Sequence, residues 1–425
     1  MSLGISILVF FIMLFIGTPI AVCLAGTGII WLLADPSIPN LVFASKIYGA
    51  TDSFAYMAIP FFMMAGQVME QTGITEKFID FAKSIIGHVR GGVAHTATVA
   101  GVIMAGVSGS GNADTTAIGS LMIPALVNDG YEEGFAVSVV AAAGSLGPII
   151  PPSVMMIVFS NAAGYDVGKV FMGGVVPGLI MAIGFMLIAY NYAKKHNIGG
   201  WKFGGWKNVG RTFLMTVGAL VMPFIIIFGI VAGVFTATEA GVVACVYGIL
   251  YGIITKSLTL KGFLQGLADS CVAAVGPMMI ITYSSIFSYM LTRMNVANMI
   301  SNFCVANITS EWVFLVFVLI ITTIAGCFID GMATMLMLLP VLSPVVTIMN
   351  IDFQHFALVY VMGLLTCQIT PPVGNLIYVA ASIQKTPVKK VVKSIIPFCV
   401  VMILVIFLCI FIPELVTWLP NLIYG

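Results

Sequence analysis

Residues 93–127 read VAHTATVAGVIMAGVSGSGNADTTAIGSLMIPALV, an apolar stretch with Ser108-Gly-Ser-Gly-Asn-Ala-Asp-Thr-Thr116 at its centre. Glycines, hydroxyls, a carboxamide and a carboxylate in one run cannot continue a lipid-facing helix. Unwound backbone at membrane depth is tolerated only where protein buries it or where it lines a wet cavity. The apolar arms on either side are about 15 residues each, short of the ~20 needed to cross a bilayer and suited to a re-entrant hairpin. Backbone carbonyls, hydroxyls and Asn112 beside Asp114 make a hard-oxygen set that suits an alkali cation. The competing reading is a loop outside the bilayer with a helix cap at Asp114 or Thr115.

Working outward, the whole chain is built for lipid. Of 425 residues, 60% are hydrophobic and 8% charged, with a mean hydropathy of +1.13, whereas a soluble domain carries about a quarter of its residues as charges. Soluble chemistry is therefore excluded, and a net charge of +1 gives no reason to expect nucleic acid as a partner. The N-terminal apolar run lacks a basic leader and extends to Leu33, too long for a cleaved signal peptide, and reads as a retained helix. The eight cysteines stand singly, so disulfides and zinc or iron–sulfur sites are not expected. The four histidines lie apart and suggest no catalytic role.

Spans are expected at 4–33, 53–69, 134–160, 170–193, 213–234, 238–255, 271–291, 356–383 and 394–412, with broken pairs at 93–127 and 312–350. If each broken pair leaves on the side it entered, one face collects 14 basic residues, from Lys77 to Lys393. The other keeps Lys46, Lys169 and Arg293. By the positive-inside rule the N-terminus is cytoplasmic and the C-terminus periplasmic. Ordinary double spans give the same loop sides. The alternating charges of 76–90 read as an interfacial helix.

The chain also matches itself. At a shift of 216, Asp114 falls on Asp330 and Pro124 on Pro340. At a shift of 220, Pro151-Pro152 falls on Pro371-Pro372 and Pro177 on Pro397. With the loop sides above, the halves are inverted. The expected organisation is a first repeat over 1–193, with an arm at 70–92, hairpin 93–127 and broken helix 134–160. A basic cytoplasmic linker covers 194–212. The second repeat covers 213–425, with an arm at 293–311, hairpin 312–350 and broken helix 356–383. The fold class is thus an all-α polytopic membrane protein with an inverted structural repeat, two re-entrant helical hairpins and two unwound helices. In such folds, helices interrupted at the same place in both halves mark the binding site.

Three further segments carry that signature. Gly144-Ser-Leu-Gly-Pro-Ile-Ile-Pro-Pro-Ser153 holds three prolines and two glycines, which free carbonyls from the helical ladder, where a simple kink needs one proline. Its image is Thr366-Cys-Gln-Ile-Thr-Pro-Pro-Val-Gly-Asn375, and the image of the first tip is Gly326-Cys-Phe-Ile-Asp-Gly-Met-Ala-Thr334. An acid such as Asp330 between apolar runs marks function, or caps a helix, and the two roles are compatible. Glu239 in Thr-Glu-Ala-Gly241 is either an external turn residue or a buried one. A channel or an intramembrane aspartyl protease built on Asp114 and Asp330 is the alternative class. A protease would use helical motifs, whereas these aspartates lie in Gly/Ser/Thr-rich tips.

These segments resemble the large membrane subunit of tripartite ATP-independent periplasmic (TRAP) transporters, through Ile59-Pro-Phe-Phe-Met-Met-Ala-Gly66, 108–114 with Ile118-Gly-Ser-Leu-Met-Ile-Pro124, Pro148-Ile-Ile-Pro-Pro-Ser153, Thr238-Glu-Ala-Gly241 and Ile369-Thr-Pro-Pro-Val-Gly-Asn375. The resemblance covers essentially the whole chain. It implies an elevator-type transporter of the bacterial inner membrane, driven by sodium. Its partners are a soluble periplasmic binding protein and a small membrane subunit of about four spans, expected as a separate chain. It also implies one sodium site among Ser108, Ser110, Asn112, Asp114, Gly144, Gly147, Ile149 and Pro151. A second is implied among Gly326, Asp330, Gly331, Thr334, Thr366, Ile369 and Thr370. The organic anion is expected near Ser108, Ser110, Ser153 and Asn375, facing half-helix N-termini. Family members carry C4-dicarboxylates, sialic acid and other organic acids, and the overall likeness leans towards sialic acid.

Overall fold

A computed structural model describes residues 3–39, 41–308, 310–371 and 373–425. Pro372, half of the tandem proline expected to break the second helix, lies outside the described residues, as does Thr309 in the stretch 293–311. The described residues form twenty α-helices and no strand.

The expected span 4–33 is two helices, α1 (Leu3–Phe15) and α2 (Ile20–Leu33). They part at Gly17, whose φ of 90° an L side chain rarely adopts, and at Pro19, which has no N–H for the ladder. Next come α3 (Leu41–Thr51), a 3₁₀ turn (Phe54–Met57), α4 (Ala58–Glu70) and α5 (Ile74–Ile86). The first hairpin is α6 (Gly92–Ser108) and α7 (Gly111–Asn128). The first broken helix is α8 (Glu133–Ser145) and α9 (Val154–Ala163), and α10 (Val167–Lys195) completes the half. The second half runs α11 (Trp206–Val231), α12 (Ala237–Ile254), α13 (Leu260–Arg293) and α14 (Val296–Asn307). It continues with hairpin α15 (Glu311–Gly326) and α16 (Gly331–Ile348), broken helix α17 (Phe353–Thr366) and α18 (Asn375–Gln384), α19 (Val388–Phe411) and α20 (Glu414–Tyr424).

Several expectations are revised. The span expected at 271–291 is a 34-residue helix, because Lys261 and Asp269 lie on exposed or half-exposed positions that a hydropathy reading treats as outside. Helix α20 follows the last expected span, 394–412. Residues 206–212, expected as linker, are the first two turns of α11. Glu239 is an exposed capping residue: its Oε2 accepts from the Thr236 amide at 2.8 Å, while its own amide donates to Thr236 Oγ1 at 3.3 Å.

Helices α10, α11, α12, α13, α16 and α19 are long and apolar enough to cross a membrane. The halves interlock rather than sit side by side. Hairpin helix α7 packs on α8 and on α18 of the other half, and α16 packs on α17 and on α9. Small residues allow the close approaches that hold helices together in lipid. A Cβ on Gly101 would stand 2.8 Å from the Ala143 carbonyl oxygen, and one on Gly134 2.5 Å from that of Lys390. Buried polar groups are used as staples. Tyr360 donates to the Met335 carbonyl at 2.7 Å, and His355 bridges the Cys409 carbonyl at 2.9 Å and Glu311 at 3.0 Å.

Candidate functional site

The first tip is shaped by Gly109, at φ 60°, which turns the chain between α6 and α7. A Cβ there would stand 2.3 Å from the Pro152 oxygen, so the tip rests directly on the first helix break. Three residues into α7, Asp114 is fully buried. Its Oδ1 accepts from Ser108 Oγ at 2.5 Å, and Ser108 Oγ accepts from the Ser110 amide at 3.1 Å. Its Oδ2 is buried without a partner, and so are Thr115 Oγ1 and Gln368 Oε1.

Each of these orphaned oxygens lies against a different glycine. A Cβ on Gly147 would lie 2.3 Å from Asp114 Oδ2, and one on Gly144 1.9 Å from Thr115 Oγ1. One on Gly111 would lie 3.1 Å from Gln368 Oε1 and 3.2 Å from the Gly144 carbonyl oxygen. An unsatisfied buried carboxylate oxygen is costly, on the order of several kcal/mol, and an alkali cation held by such oxygens would offset that cost. Among the described residues no group of three or more His, Cys, Asp and Glu is placed to hold a metal ion.

Of the residues expected at this site, the structure gathers Ser108, Ser110, Asp114, Gly144 and Gly147, and exposes Asn112 to the cavity. It places the Ile149 carbonyl against Gly174 of α10, where a Cβ would be 2.4 Å away. Pro151 is buried and joined to Pro152 by a cis peptide bond. Thr115 and Gln368 were missed. Both stand inside motifs the sequence singled out, but a neutral side chain there reads as filler.

The second tip is arranged differently. Asp330 is the N-cap of α16, and its Oδ1 accepts from the amides of Met332 at 2.9 Å and Ala333 at 3.4 Å. Thr334 donates to the Asp330 carbonyl at 3.0 Å, Thr366 to that of Met362 at 3.0 Å and Thr370 to that of Thr366 at 2.7 Å. The Ile369 carbonyl accepts from Cys399 Sγ at 3.2 Å. Gly326 abuts Cys367, and Gly331 faces Met155 and the Leu364 carbonyl. The second tip and second break meet, and the side-chain oxygens of Thr334, Thr366 and Thr370 and Oδ1 of Asp330 are engaged within them.

A cavity of about 650 Å³ lies between the tips. Tip residues 108–113, Pro148, Asp330, Met332 and Gln368 form one wall, and α4 and α13 the other. Ser108 and Ser110 line it. Ser153 does not: it is fully buried, donates to the Pro148 carbonyl at 2.6 Å and caps α9. Asn375 stands at the start of α18, its Nδ2 donating to Asn112 Oδ1 at 3.1 Å across the two halves. The charge on the walls is one-sided. Glu70, Asp269 and Asp330 line the cavity, and no Lys, Arg or His does. Glu70 and Asp269 were not foreseen. The available signal was Asp269-Ser270, which repeats Asp52-Ser53 at the same distance before Pro277 and Pro60, a pair that aligns at a shift of 217.

Each of the two interlocked halves sets a hairpin against a broken helix, and the sequence comparison names the family over nearly the full length. Residues 7–415 match the family described as "Tripartite ATP-independent periplasmic transporter, DctM component". The chain belongs to the DctM family. It is 30% identical to the C4-dicarboxylate TRAP transporter large permease protein DctM of Vibrio cholerae, across 97% of this chain and 96% of that protein. It is 29% identical to the sialic acid TRAP transporter large permease protein SiaM of the same species, across 97% of each. Among solved structures, the Alcanivorax borkumensis YdaH transporter shares the fold, with a TM-score of 0.63 at 15% identity over 87% of this chain and 86% of that one. This DctM-family chain is therefore a multi-pass transporter permease rather than an enzyme.

Proposed function

We propose that this permease carries a small organic acid anion inward together with sodium, by an elevator movement of the hairpins and broken helices against the remaining helices. The observation that carries the reading is the cavity with three carboxylates and no base, backed by the unpartnered oxygen of buried Asp114. Two like unit charges 4 Å apart repel by about 4 kcal/mol at an effective dielectric of about 20. A carboxylate ligand therefore needs co-bound cations, and the three orphaned oxygens around Gly111, Gly144 and Gly147 are where the first would be held. The second tip would hold another at Asp330, whose carboxylate faces the cavity.

The cavity volume lies inside the roughly 300–1,000 Å³ typical of small-ligand pockets. The relatives' names point to sialic acid and to C4-dicarboxylates at nearly equal identity, so we take the substrate as one of these acids. The "large permease" names support a small membrane subunit and a periplasmic binding protein as partners. The 14-to-3 split of basic residues supports an inner-membrane protein with a cytoplasmic N-terminus.

The test is uptake of radiolabelled sialic acid and of succinate into proteoliposomes holding the chain with its small subunit, each with its binding protein, with and without an inward sodium gradient. Sodium-dependent accumulation of one of them is expected. Uptake indifferent to sodium would sink the coupling, and the accepted acid identifies the substrate.

A further inference from the structure

A second cavity, of about 550 Å³, lies on the same seam as the first. On three elements its lining begins where that of the first cavity stops. On α13 the first cavity takes positions from Asp269 to Ile280, and the second takes Ile281, Ser284, Ser285 and Ser288. The steps of one, three and four residues keep all of these on one helical face. On α16 Met332 borders the first cavity, and Leu336, Leu339, Pro340 and Ser343 the second. On α9 the change falls between Met155 and Ala162. From Asp269 to Ser288 the α13 stripe rises about 28 Å, close to the hydrocarbon thickness of about 30 Å.

The electrostatics of the two cavities are opposite. The first holds three acids and no base. The second is lined by five serines, and Lys46 is its one charged side chain. Lys46 forms no salt bridge: the ion pairs among the described residues are His355–Glu311 and Lys390–Glu133. Its ammonium lies 5.1 Å from the centre of the Tyr289 ring, and its backbone carbonyl accepts from Ser285 Oγ at 3.1 Å, which ties α3 to α13. Lys46 also stands on the face with few basic residues, expected to be periplasmic.

We propose that this second cavity is the outer entrance of the transport path, and that Lys46 is its specificity residue, binding the carboxylate of the incoming anion. This rests on the reading of the chain as an anion importer, and adds to it the site met before the acid-lined cavity. A flexible ammonium beside hydroxyls recognises a hydroxylated or multiply charged carboxylate, and the adjacent Ile280 and Ile281, one lining each cavity, mark the boundary with the inner position.

The experiment compares wild type, Lys46→Gln and Lys46→Arg in the proteoliposome assay with the accepted acid, using Lys169→Gln as a control for a basic residue on the same face. Lys46→Gln is expected to raise the KM for the acid about tenfold, with maximal rate and sodium half-saturation unchanged. Lys46→Arg should return it to within about twofold, and Lys169→Gln should leave it alone. A KM for Lys46→Gln within twofold of a working, sodium-dependent wild type overturns the entrance while leaving the import reading intact. As a second measurement, an amine-reactive reagent is applied to the purified chain with and without the acid. Slower modification at Lys46 but not at Lys169 supports the proposal even if coupling to sodium fails, and equal rates at Lys46 overturn it.

Discussion

At the first hairpin tip Asp114 lies three residues inside α7, sealed from solvent, bonded to Ser108 and with its second oxygen unmatched. At the second tip Asp330 precedes α16, open to the cavity, with two backbone amides on its Oδ1. Helix α7 begins at 111 and ends at 128, and α16 at 331 and 348, so both ends differ by 220. In that register the N-caps Ser110 and Asp330 correspond, as do Asp114 and Thr334, each at the fourth helical position. The two halves have exchanged the places of acid and hydroxyl. An acid at the N-cap is met by amides and the positive helix end. An acid at the fourth position gains neither amide, and relies on a hydroxyl and on whatever joins the ring of orphaned oxygens. On the proposed reading tip one depends on a cation, whereas Oδ1 of the acid at tip two is met by the backbone.

The sharpest way to break this contrast is to remove each charge in turn. Asp114→Asn is expected to cut sodium-driven uptake about a hundredfold and Asp330→Asn about tenfold, the span expected from contacts to a charged group worth about 1.5–3 kcal/mol. Initial rates across a sodium titration report both, and a larger loss at Asp330 would reverse the comparison.

Space at the two tips should separate next. Gly147→Ala forces a methyl to 2.3 Å from Asp114 Oδ2, whereas Gly331→Ala meets the flexible end of Met155 at 3.2 Å and the Leu364 carbonyl at an ordinary 3.6 Å. The first should cost about 1–3 kcal/mol and abolish the rise in melting temperature caused by sodium. The second should keep that rise.

Smaller still is the capping role of Asp330. Asp330→Ala should unfold more easily than Asp330→Asn by about 1 kcal/mol, since asparagine still caps. Equal melting curves would mean that the amides of Met332 and Ala333 contribute nothing. The least effect is expected at Asn375→Ala, which removes the exposed bond to Asn112 between halves. It should cost under about 1 kcal/mol and leave the sodium titration unmoved.

The hairpins, the broken helices and their polar cargo were legible in the sequence because lipid leaves Gly, Pro, Ser and Asp so few permitted places. The register was harder. Matching residue identities laid Asp114 on Asp330 and Pro124 on Pro340 at a shift of 216, whereas the helix ends bring Pro124 onto Pro344. A carboxylate serves at either helical position, so identity misled where helix phase decides. Gln368 and Thr115 were invisible for another reason: their significance is an oxygen without a partner, which exists only once α7, α8 and the second break meet. Ser153 is the converse, a hydroxyl in the right motif that the backbone itself consumes.

The length of α13 has a consequence for the lipid around it. From Lys261 to Arg293 it runs about 48 Å, while a bilayer with its headgroups is about 40–45 Å thick. A tilt near the average of about 20° sets its two charged ends in opposite headgroup layers. A helix of this length would meet a thinner bilayer by tilting further, within what its packing neighbours allow. Both cavities border its face, so a change in its tilt would change their separation in depth.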